Sequence, residues 1–231
     1  MALTLITPPE IEPISVIEAK NHLRVDFNDD DDYIAALISA SRDYAESFTN
    51  RALLTQTWQL TFDHFPGRGL YESGLSGSGG GSHYSGAYSH PMWFELPRSP
   101  LLTVKSLKYI DSGGVLQTDD PTLYQVDALS EPARIAPAVN QIWPWTQISS
   151  LQPVLNAVQI VFDCGHGAGS VDGAGKTTLP AGFRIGIRQA MQLIIGHWYE
   201  NRMEVLTGVR AAAVTVPLGA SMLLWMNRVA V

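Results

Sequence analysis

The sequence predicts an α+β fold, in which a helical bundle carries an inserted, small antiparallel β-sheet or barrel. Apolar residues recur at helical spacing near both ends of the 231-residue chain, whereas its middle alternates with period two between closely spaced turn signals. We therefore expect a helical core formed by residues 1–52 and 180–231. The inserted β region occupies residues 53–179 and includes a flexible Gly/Ser loop at 67–90, whose composition cannot bury a core.

Two helices are predicted before residue 52. Ser15 followed by Glu18 forms a capping box that begins a first, short helix. In the acidic run that follows, Asp29 or Asp30 can cap a second helix, which ends at about Asn50. Its apolar positions keep helical spacing and are Ile34, Leu37, Ile38, Tyr44, Ala45 and Phe48.

Six segments of the middle region carry the alternation, β-branched and aromatic content of strands. They are LLTQTWQLTFDHF (53–65), MWFELP, LLTVKSLKYIDSGGVLQ with a turn at DSGG, TLYQVDA (122–128), ARIAP (133–137) and AVQIVFDCG (157–165). The spacing of these segments favours antiparallel pairing.

Two more helices are predicted at the end of the chain. The segment PAGFRIGIRQAMQLIIGHWYENR (180–202) has Pro180 in its first turn. Its apolar stripe consists of Phe183, Ile187, Ala190, Met191, Ile194 and Trp198. Pro217 then begins a short last helix.

The stretch GHGAGSVDGAGKTT (165–178) resembles a phosphate-binding loop because it follows a strand and ends in Gly-Lys-Thr. The loop of nucleotide hydrolases requires a glycine five residues before the Gly-Lys pair, and Ser170 occupies that position. A helix must also begin at the Gly-Lys-Thr, but Leu179 and Pro180 intervene and favour extended backbone. We therefore expect a mobile glycine-rich connection, with Lys176 a solvated charge or a contact to a neighbouring subunit.

No other pattern nominates catalytic, cofactor-binding or metal-ligating residues. His197 and Glu200 share a helical face but lack a further ligand, and the acidic run of the second helix lacks the glycine and glutamate of a calcium loop. A single cysteine, Cys164, excludes an internal disulfide and predicts a small buried residue. The net charge of −7, without a Lys/Arg cluster, argues against non-specific DNA binding.

The N-terminus has no secretory signal pattern, and the chain has no apolar run of membrane-spanning length. We therefore expect a protein without membrane association.

An apolar cluster near the C-terminus allows two interpretations: a core helix, or an apolar segment that docks on another protein. Its residues, together with the flanking positions, are Leu218, Met222, Leu223, Leu224, Trp225, Met226 and Arg228.

Three segments, in order, resemble the head–tail connector (adaptor) family of long-tailed double-stranded DNA phages. They are PISVIEAKNHLRVDFNDDDDYIAALISASRDYAESFTNRAL, ELPRSPLLTVKSLKYIDSGGVLQ and GFRIGIRQAMQLIIGHWYENR. The first is similar to the family pattern of an "AK.hLrvd" segment, an acidic run and a closing "E..tgR.l". The Gly/Ser loop has no counterpart in that pattern.

This resemblance implies a non-enzymatic virion protein of the neck, made in the host cytoplasm and assembled into a ring of twelve copies below the portal. Its partners would be other copies, the portal and a downstream neck, stopper or tail protein, with double-stranded DNA passing through the lumen. The C-terminal cluster would dock on the portal. The alternatives are a neck stopper or tail-completion protein and, from another class, a nucleotide hydrolase.

Overall fold

The computed structural model describes residues 1–66, 92–144, 154–202 and 216–229. The predicted Gly/Ser loop at 67–90 lies outside these ranges. The helices are α1 (Val16–Leu23), α2 (Asp31–Thr49), α3 (Ile185–Glu200) and α4 (Leu218–Trp225). The strands are β1 (Ala2–Thr7), β2 (Gln56–Phe62), β3 (Phe94–Leu96), β4 (Leu101–Ile110), β5 (Leu116–Thr118), β6 (Tyr124–Asp127), β7 (Ala133–Pro137), β8 (Val158–Cys164), β9 (Ser170–Val171) and β10 (Thr177–Thr178).

The strands form antiparallel sheets, as predicted. Five of them pair in the order β1-β2-β8-β4-β5, and three pair in the order β3-β7-β6. The central strand β8 alternates strictly between buried and half-buried positions, which is the pattern of a strand with one face on a core. Its buried residues are Val158, Ile160, Phe162 and Cys164.

Two hydrophobic clusters stabilise the molecule. One lies among the four helices and contains Ile34, Ile38, Ile187 and Ile194 at its centre. The other lies between the two larger sheets, where the fully buried Trp143 stacks on Phe65 and donates a hydrogen bond to the Met92 carbonyl.

Strand β1 was not predicted, and it alters the expected chain layout. It lies within residues 1–52, which were assigned to the helical core, but it pairs with β2 in the five-stranded sheet. The helical cluster begins further along the chain, with Ile11 and Ile14. The division of the chain into a core and an insertion stays a prediction.

The predicted helix starts are correct at α1 and shifted at α3. Both hydrogen bonds of the Ser15–Glu18 capping box are present. Helix α3 begins at Ile185, so Pro180 lies before the helix rather than in its first turn.

Asp30 occupies the N-cap of α2, but its side chain makes no capping hydrogen bond. Its carboxylate instead accepts hydrogen bonds from the Tyr199 hydroxyl at 2.6 Å and from Arg202 at 2.7 Å. The Arg202 guanidinium also lies over the Tyr33 ring, at 4.7 Å from its centroid. This contact fastens the end of α3 to the start of α2.

Candidate functional site

The C-terminal cluster lies on α4, which packs along α3 in the opposite direction. A Cβ at Gly219 would lie 3.9 Å from Leu193, and a Cβ at Gly186 would lie 3.9 Å from Leu223. The start of α4 is therefore beside the later part of α3, and its end is beside the α3 start.

The residues after α4 are fastened to the end of α2. The Val229 N–H donates to the Thr49 carbonyl at 2.9 Å, and the Asn50 side chain donates to the Val229 carbonyl at 3.1 Å. Arg51 Nε donates to the Asn227 carbonyl at 2.7 Å. Helix α4 is thus fixed by packing of its inner face on the bundle and by hydrogen bonds that follow its C-terminal end.

The predicted docking residues divide between the two faces of α4. Leu224 is fully buried, as is Ala220, and Leu223 is half-buried against the helical cluster. The outer face exposes Leu218 (75%), Met222 (63%), Trp225 (65%) and Met226 (80%). Arg228 is exposed beside them, with its guanidinium 5.5 Å from the centroid of the Trp225 ring.

The core-helix interpretation therefore holds for the inner face of α4. Docking on another protein stays a prediction for the outer face. The inner face is a core helix, so Leu224 is not accessible to a partner, which corrects its place among the docking residues. The outer face is an apolar surface that borders a shallow depression of about 290 Å³, lined by Phe48, Ser221, Met222, Trp225 and Met226.

Arg51 connects the segment after α4 to Glu131. Arg51 forms a bidentate ion pair with Glu131, at 2.8 and 2.5 Å, in addition to its bond to Asn227. These hydrogen bonds hold the pKa of Glu131 below its ordinary value. Burial lowers the pKa of the neighbouring His166, and the positive charges of Arg51 and Arg184 lower it further.

The glycine-rich stretch 165–178 is not the mobile connection that was expected. Residues Ser170–Val171 and Thr177–Thr178 pair as a hairpin, and Asp172 Oδ1 accepts hydrogen bonds from the amides of Ala174 and Lys176. The hairpin docks on the start of α1, where the Ser15 hydroxyl donates to the Gly175 carbonyl.

This geometry differs from that of a phosphate-binding loop. Lys176 ends the hairpin turn, Thr177 begins strand β10, and the next helix begins only at Ile185. The Gly175 carbonyl, rather than a row of free amides, faces the hydroxyl of Ser15. The stretch therefore lacks the helix N-terminus that would hold a phosphate.

Within the described ranges, no group of three or more His, Cys, Asp or Glu side chains is placed to hold a metal ion. His197 instead contacts Asn201, one turn further along. Among these residues, no helix has both the length and the apolar character that a bilayer span requires.

The comparison with family models identifies one segment. Residues 13–70 match the model of the phage gp6-like head-tail connector protein family. The predicted family resemblance is confirmed over this segment. The connector segment covers α1, α2 and β2, together with the Ser15 cap and Arg51. No curated protein matches the chain.

Solved structures of particle necks share the fold of the whole chain. A chain from the neck of an empty gene transfer agent (GTA) particle, computed with C6 symmetry, is 20% identical with a TM-score of 0.64. A chain from the native GTA virion gives the same values, and one from the native GTA neck, computed with C12 symmetry, has a TM-score of 0.57 at 20% identity. Each match covers 100% of this chain and 96% of the other. The α+β fold class is therefore confirmed.

The closing Glu and Arg of the connector pattern have structural roles that the sequence did not reveal. Glu46 accepts hydrogen bonds from the Leu53 amide at 2.9 Å and from Gln56 at 2.6 Å. Arg51 holds Asn227 and Glu131. The family pattern marked both positions, but only the folded chain shows what they contact.

Proposed function

We propose that the protein is a structural subunit of a head–tail connector, which forms a ring below the portal and joins the head of the particle to its tail. The observation that carries this proposal is the connector-family match over residues 13–70. The likeness of the complete fold to chains of GTA necks and virions supports it.

In this proposal twelve copies form the ring, and the solved native neck computed with C12 symmetry supports that number. Closed rings form through heterologous contacts, in which two different surfaces of the subunit meet. The subunit acts without catalysis: its role is to extend the DNA channel and to present a platform to a downstream neck, stopper or tail protein.

The outer face of α4 is the proposed portal-docking surface. Its accessible members are Leu218, Met222, Trp225, Met226 and Arg228. Large apolar and aromatic side chains of this kind dominate the binding energy of protein interfaces. The acidic balance of the chain suits a lumen through which DNA passes without being held.

We further propose that the protein is located in the neck of the virion and that its assembly takes place in the host cytoplasm. Cryo-electron microscopy of the intact particle tests the placement. Density of this chain in contact with the portal supports the connector. Density only beneath another neck ring would instead identify a stopper or tail-completion protein.

Lys176→Ala tests the remaining alternative from the enzyme class. We expect this variant to assemble into particles as the wild type does, because Lys176 is an exposed residue of the β9–β10 hairpin. A nucleotide hydrolysis activity that is present in the wild type and lost in this variant would contradict a purely structural function.

A further inference from the structure

We propose that the outer face of α4 binds an acidic, apolar segment of the portal, in which apolar side chains cover Met222 and Trp225 and a carboxylate pairs with Arg228. This inference rests on the proposed connector function and names the chemistry of the partner at the same surface.

The apolar part of the surface makes little contact with the rest of the subunit as far as the described residues go. Trp225 and Met226 are exposed by 65% and 80%, whereas Ala220 and Leu224 on the inner face make the contacts with the bundle. Tryptophan is a frequent anchor of protein interfaces, and methionine adapts its shape to a partner. The depression beside Phe48 offers room for a partner side chain.

The charge of this surface is opposite to that of the whole chain. Residues 216–229 contain Arg228 and no Asp or Glu, and the acidic residue of α3, Glu200, stands at the far end of that helix. Arg184 directly precedes the α3 start, where Gly186 lies beside Asn227. A local excess of positive charge therefore borders the apolar face in a chain of net charge −7.

Arg184 and Arg228 form no ion pair within the described residues. Most other lysines and arginines of these residues do form one. Lys20, Arg42, Lys105, Arg188 and Arg202 each form an ion pair. Among the described residues, the contact that the Arg228 side chain makes is with the ring of Trp225, and it forms no ion pair. The carboxylate whose charge acts on Arg184, that of Glu131, is already bonded to Arg51.

An acidic protein segment fits this combination better than DNA does. Two arginines beside four exposed apolar side chains release few counterions from a phosphate backbone, and the apolar side chains would gain nothing from phosphates. Opposite charges around an apolar centre are the usual complementarity of a protein interface.

A second copy of the chain is the competing occupant. The loop between α1 and α2 exposes Phe27 by 47% among the exposed Asp26 and Asp29, so it is also acidic and apolar. This loop lies at the start of α2, whereas α4 ends beside the α2 C-terminus. Contacts between copies through these two ends would be heterologous, and the experiment distinguishes them from portal binding.

The test measures the affinity of the full-length protein for the purified portal assembly at low and high salt. Trp225→Ala should weaken binding by roughly 30-fold or more at both salt concentrations, because it removes an apolar anchor. Arg228→Glu and Arg184→Glu should each weaken binding by about tenfold at about 0.05 M salt and much less at about 0.5 M, where exposed charges are screened.

Arg24→Glu is the matched control, because it reverses an exposed cation near the start of α2, away from α4. It should bind the portal as the wild type does. All variants change exposed side chains, so their thermal unfolding midpoints should agree with that of the wild type.

Three results would overturn the proposal. If Trp225→Ala weakens portal binding but both arginine variants bind normally, the partner is not acidic, and the connector function stands. If the variants change self-association of the purified protein rather than portal binding, the occupant is a second copy. If the wild type does not bind the portal at all, the connector function itself fails.

Discussion

His166 shows how a single half-buried side chain makes the stability of the protein depend on pH. Its Nε2 is buried without a hydrogen-bond partner within the described residues, and burial together with Arg51 and Arg184 lowers its pKa. Between this lowered pKa and the ordinary value of about 6.5, the unfolded chain binds more protons than the folded one. This contribution to stability is therefore present above about pH 6.5 and decreases as the pH falls.

We predict that His166→Gln reduces this loss. Urea denaturation gives the free energy of unfolding at about pH 7.5 and about pH 5.5, which lie above and below the ordinary histidine pKa. The decrease on acidification should be smaller in the variant than in the wild type. His22→Gln, which changes an exposed histidine of α1, is the matched control. An equal decrease in wild type and His166→Gln would show that His166 does not titrate as described.

Three glycines of the stretch 165–178 should differ in their tolerance of alanine. At Gly165 (φ +119°) a Cβ would lie 2.2 Å from the Leu54 carbonyl oxygen, and at Gly175 (φ +73°) it would lie 2.2 Å from the movable end of Ile17. At Gly173 it would meet nothing within 4 Å. We expect Gly175→Ala to destabilise the fold by about 1–2 kcal/mol and Gly165→Ala by more, whereas Gly173→Ala stays within about 0.5 kcal/mol.

Thermal or urea denaturation of the three variants checks this order. If Gly175→Ala were as stable as Gly173→Ala, the hairpin would not be fixed on α1, and the mobile connection predicted from the sequence would be correct after all.

At the level of elements, the structure assigns different roles to neighbouring residues of α4. Leu224→Ala should destabilise the protein by about 2–4 kcal/mol, because it leaves a cavity in the helical cluster. Met226→Ala, at a position 80% exposed, should change the free energy of unfolding by less than about 0.5 kcal/mol. Similar losses in both variants would mean that α4 is not packed as described. Point substitutions on the outer face test docking better than deletion of the residues after Thr215 would. The deletion would also remove the core residues Ala220 and Leu224.

The elements with local signals could be predicted from the sequence. The capping box gave the start of α1, and the alternation of β2, β4 and β8 gave the large sheet. Strand β1 could not be predicted, because its partner β2 lies about fifty residues away and no hairpin turn joins them. The β9–β10 hairpin was missed because glycines that signal mobility also permit the positive φ of a tight turn.

The division of α4 into a buried and an exposed face could not be predicted either. Its sequence, LGASMLLW, is apolar or small at every position, so no polar stripe marks the face toward solvent. The burial of Leu224 and the exposure of Trp225 are decided by where α2 and α3 lie. The sequence predicted where the candidate site is, and the packing of the bundle determined which of its residues are accessible.

On the scale of the whole molecule, Arg51 joins parts of the chain that are distant in sequence. Its backbone forms a bridge with Ser99, and its side chain bonds both Asn227 after α4 and Glu131 between β6 and β7. The docking surface is therefore connected to the three-stranded sheet through one buried guanidinium, whose side chain is 4% exposed.

We predict that Glu131→Gln weakens this connection and loosens the segment that follows α4. The variant leaves the buried Arg51 without its charged partner, which should destabilise the protein by about 1–3 kcal/mol. Hydrogen exchange should become faster at the Val229 amide, because Arg51 helps to position the segment that bonds to Thr49. Asp43→Asn is the matched control: it removes an ion pair whose carboxylate is 69% exposed, and such pairs contribute less than about 1 kcal/mol. Unchanged exchange at Val229 in Glu131→Gln would show that α4 is held independently of the sheet, so that the docking surface and the β region act as separate units.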